Sequence, residues 1–267
     1  MKFDKNSPIG VFDSGVGGLT VARELRRFMP NENILYFGDT ARVPYGNKSA
    51  ETIQRFSKEI MDFLGQHGVK VIVVACNTAS SLALPYLKNK YNFPVLGVIS
   101  PGAREAVRLS KNKRIAVIGT QATMNSGAYE KELKKIDQRV KVYSKPCGLF
   151  VPLVENRLYD RPFARDIAAL YLKGFEKKNI DTLILGCTHY PILKNVIADV
   201  MKGTVLINSA IAVARMVKER LASEGFLQPA NSRKGTIKCF VSDDPEGFKR
   251  TAHIFLKEKV SVKKVSL

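Results

Sequence analysis

Two short stretches carry the residues most able to do chemistry, Cys76-Asn77-Thr78 and Cys187-Thr188-His189. Each cysteine follows an apolar, strand-forming run and precedes polar residues suited to a helix start, with Pro191 favouring a first-turn position in the second case. A free thiol with a pKa of roughly 8.5 is mostly protonated at neutral pH, and a helix N-terminus or a neighbouring cation lowers it. One such cysteine points to acyl or thiol chemistry. Two of them, one in each half of the chain, point to a substrate attacked from opposite sides. A metal held by His189 and the two thiols is the competing reading, and the spacing gives it no ligand pairing. The flanking hydroxyl, amide and imidazole groups are costly to bury unless they are hydrogen-bonded or face a polar site. That sets Cys76 and Cys187 apart from Cys147 and Cys239, which read as small buried hydrophobes.

The elements that must position these residues follow from periodicity. Short β-branched runs alternate with longer segments of helical spacing, the pattern of βα units and a parallel sheet. The strand candidates are Ile9–Phe12, Ile34–Phe37, Val69–Ala75, Val95–Val98, Ile115–Ile118, Val140–Ser144, Thr182–Leu185, Val205–Ile207 and Ile237–Val241. Helical stretches include Gly18–Phe28, Ala50–Gln66, Met124–Lys135, Phe163–Lys177, Ala210–Ser223 and Glu246–Phe255. The fold class is therefore α/β, doubly wound. The chain also echoes itself: GVFDSGVGG (Gly10–Gly18) pairs with AVIGTQATM (Ala116–Met124), and VVACNTAS (Val73–Ser80) with LILGCTHYP (Leu183–Pro191). Such a repeat predicts two similar facing lobes, one of residues 1–97 plus 208–267 and the other of residues 98–207, with the last segment returning to complete the first.

Ligands of open α/β sheets bind beyond the carboxyl ends of the strands. One of the turns this picks out is Asp13-Ser14-Gly15-Val16-Gly17-Gly18, whose backbone N–H groups can hold an anion. A dinucleotide reading fits it poorly, although Asp39 lies about where a ribose-binding acid belongs. The third glycine of that fingerprint is Thr20 here, and Asp13 would set a negative charge beside a pyrophosphate. The 267 residues are 45% hydrophobic, enough for a full core, which argues against disorder. No apolar run approaches the roughly 18 residues of a membrane span, and MKFDKNSPIG lacks the apolar centre of a signal peptide, so a cytoplasmic location is expected. The four cysteines form no C-x-x-C pair, so neither a disulfide framework nor a zinc knuckle is indicated.

At these residues the chain resembles the cofactor-independent aspartate/glutamate racemase family, with the closest match on the glutamate side. The resemblance covers nearly the whole chain and rests on GVFDSGVGGLTV (Gly10–Val21), GDTARVPYG (Gly38–Gly46), ACNTAS (Ala75–Ser80), GTQAT (Gly119–Thr123), PLVEN (Pro152–Asn156) and LGCTHYP (Leu185–Pro191). It implies two α/β lobes with the site between them, no pyridoxal phosphate or metal, a homodimer, and interconversion of L- and D-glutamate for bacterial peptidoglycan. It also implies that Cys76 and Cys187 are the catalytic pair and that Asp13, Glu155 and His189 assist them. Substrate contacts would fall at Asp13 and Ser14, at Pro44, Tyr45 and Gly46, at Asn77 and Thr78, and at Thr188 and His189, with Thr120 and Thr123 near the site. Where the family often has an acidic residue before Ser-Ala, this chain has Asn208-Ser209-Ala210, a change at the lobe junction. By the same resemblance, Cys76 acts on the D-enantiomer and Cys187 on the L-enantiomer. Aspartate is the alternative substrate.

Inverting an α-carbon without a cofactor means removing a proton from one face and delivering another to the opposite face, which two acid/base groups in line across a cleft can do. One must start as thiolate and the other as thiol. Hydroxyls and backbone N–H groups near Asn77-Thr78 and Thr188 would hold the α-carboxylate, and His189 is assigned to the thiol of its own loop, with helix capping as its simpler role. The charge of +19, from 43 Lys+Arg against 24 Asp+Glu, is not needed by an enzyme of this kind. It is the footprint of a nucleic-acid or anionic-surface binder, and KEKVSVKK (Lys257–Lys264) reads as a phosphate-contacting tail. Against this, the basic residues are dispersed over solvated helix faces without a zinc finger or aromatic platform, and a positive field also attracts a dianionic amino acid. Nucleic-acid binding is thus expected only as a secondary activity.

Overall fold

The computed structural model describes residues 4–256, 258 and 260–267. Its first half contains β1 (Ile9–Asp13), α1 (Leu19–Phe28), β2 (Ile34–Gly38), α2 (Ala50–Gln66), β3 (Val71–Val74), α3 (Asn77–Leu82), α4 (Leu84–Lys90), β4 (Val95–Gly97) and α5 (Ile99–Leu109). The chain continues through β5 (Arg114–Gly119), α6 (Gln121–Asn125), α7 (Ala128–Ile136), β6 (Lys141–Pro146), α8 (Phe150–Glu155), α9 (Pro162–Leu172), β7 (Thr182–Gly186), α10 (Lys194–Val200) and β8 (Val205–Asn208). It closes with α11 (Ser209–Ser223), β9 (Ile237–Val241), α12 (Pro245–Leu256) and β10 (Ser261–Lys264).

Two parallel sheets result, ordered β10-β9-β2-β1-β3-β4 and β6-β5-β7-β8. Numbered within each lobe, the first four strands take the same order, 2-1-3-4, so β1 corresponds to β5 and β3 to β7. The turns after corresponding strands therefore hold corresponding places in the two lobes. Strands β1, β2, β3 and β7 are buried at every residue, as expected where helices cover both faces. Alternation sorts their side chains. Val11, Tyr36 and Val73 pack with Leu19 and Leu25 of α1, Val213 of α11 and Phe248 of α12, in a core continuous with Ala116, Ile118 and Leu185 of the second sheet. Phe12, Phe37 and Val74 face the other way onto Ile53, Ile60 and Leu64 of α2. On the far side of the second sheet, Ile115, Val117 and Ile184 meet Ala103, Tyr129 and Leu133. Burying such side chains contributes roughly 1.5–3 kcal/mol each before the entropy of ordering the chain is counted.

The segment that returns to the first lobe is held by an ion pair at the opposite end of the sheet from the turns. Lys70 and Glu32, both buried, lie 2.6 Å apart, and Lys70 Nζ also donates to the carbonyls of Lys5 (2.8 Å) and Phe226 (2.9 Å). The backbone N–H of Gln228 donates to Glu32 Oε1 at 2.9 Å.

Local structure departs from the sequence expectations at identifiable residues. Met124–Lys135 is not one helix, because Gly127 adopts φ +64° and separates α6 from α7. The helix expected over Phe163–Lys177 stops at Leu172, and beyond Gly174 (φ +92°) only the 3₁₀ turn Glu176–Lys178 follows. The basic C-terminal stretch is not a free tail: Ser261–Lys264 pairs in parallel with Lys238–Val241 as an edge strand, and Lys264 is 2.5 Å from Asp243. Lysines on an edge strand oppose pairing with another chain, a structural use of the same charge. Lys257 and Lys259, which belong to that expectation, lie outside the described residues. Among the described residues, no helix is long and apolar enough to cross a membrane.

Candidate active site

The turns after β1, β2, β3, β5 and β7 converge between the lobes. Asp13 ends β1 with no exposed surface, and its carboxylate accepts N–H bonds from Gly15 (3.1 Å) and Gly18 (2.9 Å), which folds the glycine turn back on the strand. Tyr36 supports the same turn by donating to the Gly15 carbonyl at 2.7 Å. The other Asp13 oxygen accepts from Thr188 Oγ1 of the second lobe at 3.3 Å. Burial raises the Asp13 pKa against the opposing pull of His189 and these hydrogen bonds. The residue lies beneath the cavity wall, and Ser14 is the member of this turn that lines the cavity.

Cys76 stands at the N-cap of α3, where its sulfur accepts from the Ala79 N–H at 3.5 Å and lies 3.8 Å from Ser14 Oγ. Burial, and then the Asp13 charge, push its thiol up to about 12, so it rests protonated. Cys187, after β7, has a different neighbour: its sulfur is 3.7 Å from His189 Nδ1. His189 Nε2 is in turn 3.1 Å from Glu155 Oε1, at the end of α8. Burial opposes a charge on His189, but the Cys187 sulfur and the Glu155 carboxylate outweigh it and lift the imidazole pKa to about 10. The side chain makes no capping bond to the turn that follows it, so the simpler capping role does not apply.

This raised value has a stability consequence. A group whose pKa is higher folded than unfolded contributes stability fully below its ordinary value, here 6.5, and loses it as pH rises through the folded value, about 10. The difference in melting temperature between the wild-type chain and His189→Asn is therefore expected to be largest below 6.5 and to shrink toward pH 10. Thermal melts across that range read it directly, and a difference that grows with pH would reverse the assignment.

Hydroxyls join the lobes on the Cys76 side. Thr78 Oγ1 is 3.0 Å from Thr120 Oγ1 and 3.3 Å from that of Thr123, which are themselves 2.9 Å apart. Thr78 and Thr120 line the cavity, with Thr123 buried behind them. Across the site, Thr20 Oγ1 donates to the Thr188 carbonyl at 3.1 Å. The loop after β2 supplies Pro44, Tyr45 and Gly46, and a Cβ on Gly46 would sit 2.8 Å from Thr120 Cβ, so glycine permits the approach. Tyr45 borders the cavity but donates its hydroxyl to Asp39, which lies outside the cavity wall. Asp39 also receives Arg42 Nε on both oxygens (2.9 and 2.7 Å) and Ser242 Oγ (2.8 Å). These bonds occupy the acid that a dinucleotide reading would assign to ribose.

Cys76, Asn77, Glu155, Cys187, Thr188 and His189 border the same cavity of about 40 Å³. Val43 and Val151 complete its wall; sequence reasoning passed over them because an isolated valine carries no chemical signal. Larger hollows of about 410 and 550 Å³ open elsewhere, near Gln66, Lys90 and Phe93 and near Phe175, Asp199 and Met201, and bring no cysteine or histidine together. Among the described residues, no group of three or more His, Cys, Asp and Glu side chains is arranged to hold a metal ion.

Two parallel-sheet α/β lobes that each present one cysteine to a shared cavity define an enzyme fold suited to working on both sides of one small molecule. The family model for Asp/Glu/Hydantoin racemases matches residues 19–217, and the chain belongs to that family. It is 49% identical over 261 residues to the glutamate racemase of Geobacter metallireducens, covering 97% of this chain and 96% of that one. Its structure resembles glutamate racemase RacE1 of Bacillus anthracis with a TM-score of 0.95 and 42% identity over 98% of both chains. It also resembles the glutamate racemase of Francisella tularensis, solved in complex with D-glutamate, with a TM-score of 0.92 and 39% identity over 98% of both chains.

Proposed function

We propose that the chain is a glutamate racemase that interconverts L- and D-glutamate by two-base proton transfer, with Cys76 and Cys187 on opposite faces of the α-carbon. The observation that carries this reading is that one cavity is bordered by a cysteine from each lobe, in different electrostatic settings. Cys76 rests as the thiol, able to donate. The imidazolium of His189 supplies the counter-charge that a Cys187 thiolate needs, and Glu155 holds that imidazolium in place. In the L-to-D direction Cys187 removes the α-proton while Cys76 delivers one to the opposite face, and the reverse direction exchanges the roles. Asn77, Thr78 and Thr188 receive the α-carboxylate, whose charge grows as the α-carbon loses its proton, so donors placed there act most strongly in the transition state.

A cavity of about 40 Å³ has room for only a few water molecules, since roughly 10–15 Å³ holds one. Glutamate entry therefore requires the β2 loop or the lobes to part, breaking contacts such as Thr78–Thr120, and closure then excludes water around the carbanion. The product would supply D-glutamate for peptidoglycan, in the cytoplasm, from a homodimer. The test is circular dichroism of L- and D-glutamate with the purified chain and no added cofactor, and of L-aspartate in parallel. Loss of optical activity from both glutamates supports the reading. Action on aspartate alone transfers it to the other substrate of the family, and silence on all three removes it.

A further inference from the structure

Asn77 is set by a residue of the opposite lobe. Tyr129, on α7, is 2% exposed, and its hydroxyl lies 2.7 Å from Asn77 Oδ1 and 3.1 Å from Ser209 Oγ, the first residue of α11. Three elements thus meet at one phenol: the first turn of α3, which carries Asn77, and the starts of α7 and α11. Gly102 of α5 leaves room for them, since a Cβ there would sit 2.8 Å from Ser209 Oγ and 3.7 Å from the Tyr129 hydroxyl. Neither Tyr129 nor Ser209 borders the cavity that holds Cys76, Asn77 and Cys187.

Proton accounting gives the cluster two polarities. A phenol has one proton. When Tyr129 gives it to Asn77 Oδ1, Ser209 must donate to the phenol oxygen, and the Asn77 amide is left with its NH₂ free to donate into the cleft. In the opposite polarity Asn77 donates to Tyr129, Tyr129 to Ser209, and a carbonyl oxygen faces the cleft. Only the first arrangement suits a carboxylate ligand, because the second would set a dipole's negative end against a negative charge. Burial raises the Tyr129 pKa, so the phenol remains a donor throughout the working pH range.

We propose that Tyr129, held by Ser209, is a positioning residue that fixes the Asn77 amide with its NH₂ toward the substrate carboxylate. This rests on the reading of Asn77 as a substrate contact. Because Tyr129 and Asn77 belong to different lobes, the amide has its productive orientation only when the lobes are docked. Substrate-ready geometry and lobe closure are thereby one event.

The test is a double-mutant cycle on kcat/KM for glutamate with Tyr129→Phe, Asn77→Ala and the pair. Tyr129→Phe removes the hydroxyl and keeps the ring in its core, so a roughly tenfold loss is expected with the melting temperature changed by only a few degrees. In the Asn77→Ala background the same substitution should change kcat/KM by less than about twofold, since nothing is left for it to orient. Unchanged kcat/KM in Tyr129→Phe, or a tenfold loss that persists without Asn77, overturns the proposal. Wild-type kcat/KM in Asn77→Ala removes Asn77 as a contact and the positioning role with it, while leaving the racemase reading intact; a wild-type chain that racemises nothing fails at that earlier step. Should Tyr129→Phe not fold, Ser209→Ala replaces it in the cycle, with a smaller loss and the same dependence on Asn77.

Discussion

Replacing either Cys76 or Cys187 with serine is expected to lower racemisation of glutamate by at least about a thousandfold, within the range that general acid–base groups contribute. A serine hydroxyl is far too weak an acid to become the base, and its shorter reach withdraws the proton relay from the α-carbon. Either loss disables both directions, because the base for one enantiomer is the acid for the other. L- and D-glutamate are mirror images with equal free energy in water, so kcat/KM must be the same from both sides in every variant. The faces are distinguished by exchange instead. Cys187→Ser retains Cys76 and should wash solvent deuterium into D-glutamate without inverting it, and Cys76→Ser should do the same for L-glutamate. NMR of the α-proton measures both. A serine variant that racemises at the wild-type rate would exclude its cysteine from the chemistry.

Gly17→Ala is expected to cost about a hundredfold in kcat/KM, the scale on which a displacement of about 1 Å in an active site acts. A Cβ at this position would lie 2.4 Å from Thr188 Oγ1 and 2.6 Å from both Nδ1 and Cε1 of His189. Gly17 does not occupy the left-handed backbone region, so the cost is contact and not local strain. The ring must move off the Cys187 sulfur or the glycine turn must withdraw from the second lobe, taking Thr188 away from Asp13. Gly15→Ala is the control in the same turn: its Cβ would meet only Val43 Cγ1, at 3.1 Å, and a loss of less than about tenfold is expected. Steady-state kinetics on the two variants separates the positions. Equal, small effects would show that His189 need not be held where it stands.

Much of this architecture was legible in the chain. The apolar runs at Ile9, Ile34, Val71, Ile115 and Thr182 became parallel strands because helices cover both faces, which is what continuous apolar runs encode. The internal echo of Gly10–Gly18 in Ala116–Met124 matches the shared 2-1-3-4 strand order. What failed to show was non-local. The break at Gly127 looks like an ordinary glycine in a helical run until its φ is known. Ser261–Lys264 is a strand because β9 offers it an edge, against its own composition. The motifs drew attention to Tyr45, but not to the hydrogen bond its hydroxyl gives the buried Asp39 carboxylate. Tyr129 carries no local signal, and Ser209 showed only as part of the Asn208-Ser209-Ala210 junction motif, since the tie through Tyr129 to Asn77 exists only across the lobe junction.

The central claim is that two thiols work on opposite faces of one carbon, and the direct measurement is the early time course of L-glutamate in D₂O with the wild-type chain. Both thiols exchange with solvent, so the D-glutamate formed should carry deuterium at the α-carbon from its first appearance, while the remaining L-glutamate keeps its protium. D-glutamate that retains the original proton, or deuterium entering substrate and product at equal rates from the start, would mean a single base serving both faces and would contradict the assignment of Cys76 and Cys187.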